Sequence, residues 1–168
     1  MLYLKALNEQ DAAQEYAFLQ AMPSENGFMN DVYGLPYDDF VRRVIPRRLA
    51  YSRGEDLAPG HVPDTWYFLW QDDAIVGLFK LRPALNDVLR SGSGHMGYGI
   101  HPAHRCRGYA TQGLRLAIEQ LRRMPAFTDS EVLLSCSVNN PASLRVMLKC
   151  GGAIHRTDHE NHYVRIPL

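Results

Sequence analysis

The sequence is short of the features that mark secreted, membrane-spanning or strongly charged proteins. It has three cysteines, Cys106, Cys136 and Cys150, an odd number at wide spacing. Such a set is a poor disulfide framework and points to a reducing, cytoplasmic compartment. No apolar run approaches the roughly 20 residues that cross a bilayer, so no membrane span is expected. Met1–Ala6 is not a basic leader ahead of a long apolar stretch, so no secretory signal is expected either. Charge of one sign is also lacking, because 18 basic residues balance 18 acidic ones. A chain without net charge has no global field for nucleic acid or an anionic membrane, so any anion site must be local. There is no repeat and no low-complexity linker. A length of 168 residues fits one domain, 1–168, with a core of ordinary size.

What is present reads as alternating strands and helices. Leu2–Ala6 suits a short strand, and a helix capped by Asn8 or Asp11 should run to about Met22, stopped by Pro23. A second helix is expected from Tyr37 or Asp38 to about Tyr51, followed by a Gly- and Pro-containing connection over 52–63. Thr65–Trp70 and Ala74–Leu81 flank Asp72-Asp73 and predict a β-hairpin. A polar loop with Asn86 and Asp87 should lead to a strand over His95–His101. An amphipathic helix follows from about Gly108 to Arg123, with Ala110, Leu114, Ala117, Ile118 and Leu121 on one face. Val132–Val138 reads as a buried strand, Pro141–Cys150 as a helix ended by Gly151-Gly152, and Ala153–Leu168 as a final hairpin. The order predicts one mixed α/β sheet with helices on both faces.

The chemistry concentrates where the strand ending at Pro102 turns into the long helix. Free N–H groups at a helix N-terminus carry partial positive charge and bind phosphate. Gly108 and Ala110 remove bulk that would hold a diphosphate off the amides of Arg107–Thr111, and Arg105 and Arg107 can add charge-assisted hydrogen bonds. This is the local anion site that the neutral chain otherwise lacks. The other phosphate motifs fail. There is no Gly-Lys-Ser/Thr, and Gly92-Ser93-Gly94-His95-Met96-Gly97 fits G-x-G-x-x-G but precedes a strand and opens no helix.

Arg105-Cys106-Arg107-Gly108-Tyr109-Ala110 satisfies the diphosphate signature Arg/Gln-x-x-Gly-x-Gly/Ala, and the chain here resembles the GNAT superfamily of N-acetyltransferases. Val138-Asn139-Asn140-Pro141-Ala142-Ser143 with Lys149-Cys150-Gly151-Gly152 is similar to the superfamily's Asn-x-x-Ser…Lys-x-Gly segment. Leu85-Asn86, Gly94–Tyr98 and Cys150-Gly151-Gly152 resemble a bacterial subgroup of predicted acetyltransferases. The resemblance is good over about 66–152 and rests on element order before that. It implies a mostly antiparallel central sheet whose strands His95–His101 and Val132–Val138 splay apart around the pantetheine arm of acetyl-CoA. It implies that backbone near Ile100 bonds that arm and that the amides of Arg107, Gly108, Tyr109, Ala110 and Thr111 hold the diphosphate. Asn140 would reach the pantetheine or the acceptor, and an amide near Tyr98–Ile100 would stabilise the oxyanion. Acetyl-CoA is then a co-substrate and the acceptor a primary amine of a small molecule or peptide; relatives often dimerise, so a homodimer is open to this chain, though the sequence does not fix the oligomeric state.

The reaction must remove a proton from the amine and return one to the thiolate. Many family members use a glutamate on the strand before the signature, and this chain has none there. His95 is the nearest titratable replacement for the base, with an ordinary pKa of about 6.5. The family's helix tyrosine is also missing between Pro141 and Gly151, which leaves Ser143, Tyr98, Tyr109 or water for the thiolate. These gaps keep open a second reading, a non-catalytic acetyl-CoA-binding sensor or scaffold. Asn140 also reads as a plain helix cap ahead of Pro141. His155, Asp158, His159 and His162 in the tail lack the spacing of a ligand set on a hairpin, and no metal is expected. Glu25, Asn26, Phe28 and Asn86 fall in loops that relatives use for the acceptor.

Overall fold

The computed structural model describes residues 1–168. Strand β1 (Leu2–Ala6) pairs antiparallel with β2 (Thr65–Gln71), β2 with β3 (Ala74–Leu81), and β3 with β4 (Met96–Ile100). A second antiparallel sheet has the order β5 (Glu131–Ser137), β7 (Asn161–Pro167), β6 (Ala153–Thr157). The expected sheet is thus realised as two halves that meet beside β4 and β5. They touch at a bridge between Gly94 and Leu134 and through the His95 N–H, which donates to the Leu133 carbonyl at 2.8 Å. Gly94 has φ +67°, and any Cβ there would collide with the Leu133 carbonyl, so the junction requires glycine. Beyond that point no pairing between β4 and β5 is present, and a gap opens.

Helices cover both faces. α1 (Ala12–Ala21) and the run α2 (Tyr37–Asp39), a π-helical stretch Phe40–Val44, and α3 (Ile45–Ser52) bury Phe18, Leu19, Phe40 and Ile45 against Phe68, Trp70 and Leu78. The second helix of the sequence reading is therefore one body with a wider turn in its middle. α5 (Tyr109–Arg122) and α6 (Pro141–Lys149) lie on the other face, where Leu114, Ala117 and Leu121 are fully buried with Leu69, Phe79 and Leu81. Each buried leucine of that stripe contributes roughly 1.5–3 kcal/mol. Burial along β5 alternates, with Val132, Leu134 and Cys136 inward, the pattern of a strand with one covered face.

One local expectation changes. The loop around Asn86-Asp87 contains a short helix, α4 (Asp87–Ser91), because the Asn86 side chain accepts from the Leu89 N–H and caps it. The first helix carries a fully buried carboxyl, Glu15, facing the core. Its Oε1 accepts from the Asn8 N–H, while Oε2 has no partner. Burial pushes the Glu15 carboxyl up to about 8. No helix is long and apolar enough to cross a membrane.

Candidate active site

The gap between β4 and β5 continues into a cleft of about 430 Å³. One end is formed by the start of α5. Pro102–His104 makes a short 3-10 turn, Cys106 takes φ +60°, and Gly108 takes φ +79° as the residue before the helix. That left-handed step aims the first turn of α5 back along the cleft, and no side chain caps it. Tyr109, Ala110 and Thr111 all line the space, so their free amides present partial positive charge to it. This cradle fits a diphosphate, with Gly108 keeping its mouth clear. Arg145 and Lys149 of α6 also line the cleft and add two cations. The diphosphate signature does not include them, but their i, i+4 spacing behind the Asn140 cap places both on one helix face.

The middle of the cleft is the open edge of β4. The N–H of His101 donates to the Val76 carbonyl and that of Arg82 to the His95 carbonyl, which fixes the hydrogen-bonded pairs of the β3–β4 ladder. Alternation then turns the amides of Tyr98 and Ile100 away from β3, into the gap. Ile100 also lends its carbonyl to Arg105 Nε at 3.0 Å. The Tyr98 hydroxyl lies 2.9 Å from Ser143 Oγ, and both residues line the cleft. The Tyr98 ring stacks on Phe79, and burial pushes its phenol pKa up, so it keeps its proton at neutral pH. Ser143 is itself placed by Asn140, whose Oδ1 accepts the Ser143 N–H and caps α6.

The far wall comes from the loop after α1. Met22, Glu25, Asn26 and Phe28 line it. Glu25 forms an ion pair with Arg105, and Asn140 Nδ2 donates to the Asn26 carbonyl at 3.4 Å. This loop therefore straps the cleft from the α5 side to the α6 side. Arg105 is engaged by Glu25 as well as by Ile100, and Arg107 is exposed and lies outside the lining.

His95 is not in the cleft. It is fully buried at the junction of the two sheets, with its ring against Phe127. The Leu133 N–H donates to Nδ1 at 3.0 Å, which leaves the proton on Nε2 to be donated to Asp129 at 3.0 Å. Burial pushes the His95 pKa down, with Asp129 working against that shift. Asp129 in turn is held by Arg90 at 3.0 Å. Both ring nitrogens serve the junction, so neither is free to receive a substrate proton. In the tail hairpin, Asp158 accepts from the Glu160 and Asn161 N–H groups and from the Tyr163 hydroxyl, which builds the turn. No group of three or more His, Cys, Asp or Glu side chains converges in a way that could hold a metal ion.

A mixed α/β core, a strand pair that parts, and an uncapped helix start facing the gap define an acyl-CoA-dependent transferase fold. Residues 2–153 match the family model described as "Acetyltransferase (GNAT) domain", and the chain belongs to that family. No curated protein matches the chain in sequence. Among solved structures, one titled a probable acetyltransferase is 18% identical with a TM-score of 0.71, over 99% of this chain and 92% of the other. The aminoglycoside acetyltransferase AAC(6')-Ib in complex with coenzyme A is 17% identical with a TM-score of 0.64, over 99% and 95%. A chimera of spermidine N-acetyltransferase SpeG from Vibrio cholerae with hSSAT is 17% identical with a TM-score of 0.63, again over 99% and 95%. At these identities the likeness is one of fold.

Proposed function

We propose that this chain moves an acetyl group from acetyl-CoA to a primary amine of a small molecule or peptide, by direct attack in a ternary complex. The observation that carries the reading is the uncapped, glycine-led start of α5 at the end of the cleft beside β4. Acetyl-CoA supplies the activated thioester. The amides of Tyr109–Thr111 hold its diphosphate, with Arg145 and Lys149 adding charge, and its arm runs along Tyr98–Ile100. The amine nitrogen attacks the thioester carbon, and the oxyanion is met by the gap-facing amides of Tyr98 and Ile100. Preorganised donors of this kind contribute a few kcal/mol to the barrier reduction. The intermediate loses its extra nitrogen proton to water in the cleft, and the C–S bond then breaks. The Tyr98–Ser143 pair offers a hydroxyl proton to the departing thiolate. His95 acts one step removed, as a positioning residue that fixes where β4 leaves β5.

The test is an amine screen with acetyl-CoA that follows free thiol. Faster thiol release with at least one amine class, at saturable amine concentration, supports the reading. Tight acetyl-CoA binding with no release across neutral, cationic and anionic amines would instead make the chain a binding module.

A further inference from the structure

A second cluster of charge lies on the opposite side of β4, outside the coenzyme cleft. Asp64 is 3% exposed and faces Lys80 Nζ at 3.1 Å and an Arg48 terminal nitrogen at 3.4 Å. Arg82, two residues beyond Lys80, donates to the Gly94 carbonyl at 3.0 Å. Lys80 and Arg48 therefore share one buried carboxylate, with no second counter-charge in contact with them. Asp31, an exposed residue, adds only a weaker pull on Arg48. The Arg48 guanidinium sits 4.7 Å over the Trp66 ring and 4.9 Å from that of Tyr51. Two buried side-chain donors of this cluster, Arg48 Nε and Trp66 Nε1, have no hydrogen-bond partner. Burying cations in excess of their counter-charge is costly unless an anion compensates them, and burial does push Arg48, Lys80 and Arg82 down.

The ladder places this cluster beside the reaction. Lys80 is paired directly with Gly97 of β4, and Leu78 with Gly99. Directly paired residues share a face of the sheet. Leu78 packs with α1–α3, so Lys80, Gly97 and Gly99 face the same way. At Gly99 that face is covered by Met22 and Phe28, which line the cleft. At Gly97 it is open, since a Cβ there would meet nothing within 4 Å. Gly97 and Gly99 are about 7 Å apart at strand spacing. An amine at the β4 edge near Gly99 would thus trail its remaining atoms over Gly97 towards Lys80.

We infer that Lys80 and Arg48 form an acceptor subsite for an anionic group, a carboxylate or a phosphate, carried by the amine substrate; this rests on the acetyltransferase reading above. The anion pairs with Lys80 and the outer guanidinium edge of Arg48, and Asp64 holds the two cations in place. A polycationic acceptor would meet repulsion at this position.

The experiment compares four short amines of similar reach: propylamine, 1,3-diaminopropane, β-alanine and phosphoethanolamine. The kcat/KM for an anionic amine should exceed that of the neutral and cationic ones by at least about tenfold, and the better of β-alanine and phosphoethanolamine identifies the anion. Lys80→Met should remove that advantage through KM, with kcat kept within about threefold, and Lys80→Arg should restore part of it. In parallel, inorganic phosphate is titrated into the coenzyme A-saturated protein while the Trp66 indole N–H signal is followed by NMR. A saturable shift that weakens in K80M supports the subsite independently of turnover, while absence of thiol release across the wider amine screen would sink the transferase reading alone. Turnover without preference for an anion, with the Trp66 signal unmoved by phosphate, would overturn the subsite and leave the transferase reading standing.

Discussion

Substituting Gly108 tests the coenzyme cradle with strain and charge separable. Gly108 sits at φ +79°, where an L side chain costs roughly 1–2 kcal/mol. An added Cβ would meet only Gln112 Nε2, at 3.6 Å, an ordinary contact. Gly108→Ala should therefore fold, lose about 2–4 °C in Tm for each kcal/mol of strain, and keep acetyl-CoA affinity within about tenfold. Gly108→Glu carries the same strain but sets a carboxylate before the first turn of α5. A unit charge about 6 Å from a diphosphate charge, at an effective dielectric of about 20, is repelled by about 3 kcal/mol. That corresponds to a loss in affinity of about a hundredfold or more. Titration calorimetry with acetyl-CoA on both variants, with Tm measured beside it, reads the two effects separately. If folded G108E bound acetyl-CoA as tightly as G108A, the coenzyme's diphosphate would have to sit elsewhere.

Three further outcomes follow from the same geometry. Tyr98→Phe should leave acetyl-CoA affinity within a few-fold and lower kcat about tenfold to a hundredfold, because only the hydroxyl beside Ser143 is lost; unchanged single-turnover kinetics would remove Tyr98 from the proton path. His95→Gln should lower Tm while leaving the pH profile of turnover in place, since the ring serves Leu133 and Asp129. His95 has a folded pKa below its unfolded value, so the stability it contributes is present above about pH 6.5 and lost as pH falls from there through the folded value. Urea melts at pH 7.5 and 5 should show that loss in the native protein and a smaller one in H95Q. Glu15 runs the other way. Its pKa is raised to about 8, so its cost to stability is absent below about pH 4.3 and grows as pH rises towards 8. Glu15→Gln should then raise Tm more at pH 8 than at pH 5, and an equal effect at both would show that the carboxyl ionises freely.

The sequence by itself determined most of the elements and the glycine-led turn before α5, because both are written in local chemistry. Hydrophobic period sets α5 and β5, and Arg105–Ala110 places glycine at the left-handed step directly before the helix. Sequence spacing carries no information about partners far apart in the chain, and those decided the rest. His95 and Leu133, 38 residues apart, meet at the junction of the two sheets, so a histidine that reads as a base becomes a fixed support. Tyr98 and Ser143, 45 residues apart, become a hydroxyl pair only because β4 and α6 flank one gap. Arg48 on α3, Asp64 just ahead of β2 and Lys80 on β3 acquire a shared charge imbalance only when α3 packs on β2. Local propensity acts over a turn or a strand, whereas burial, electrostatics and proton affinity depend on what the folded chain brings within a few ångströms.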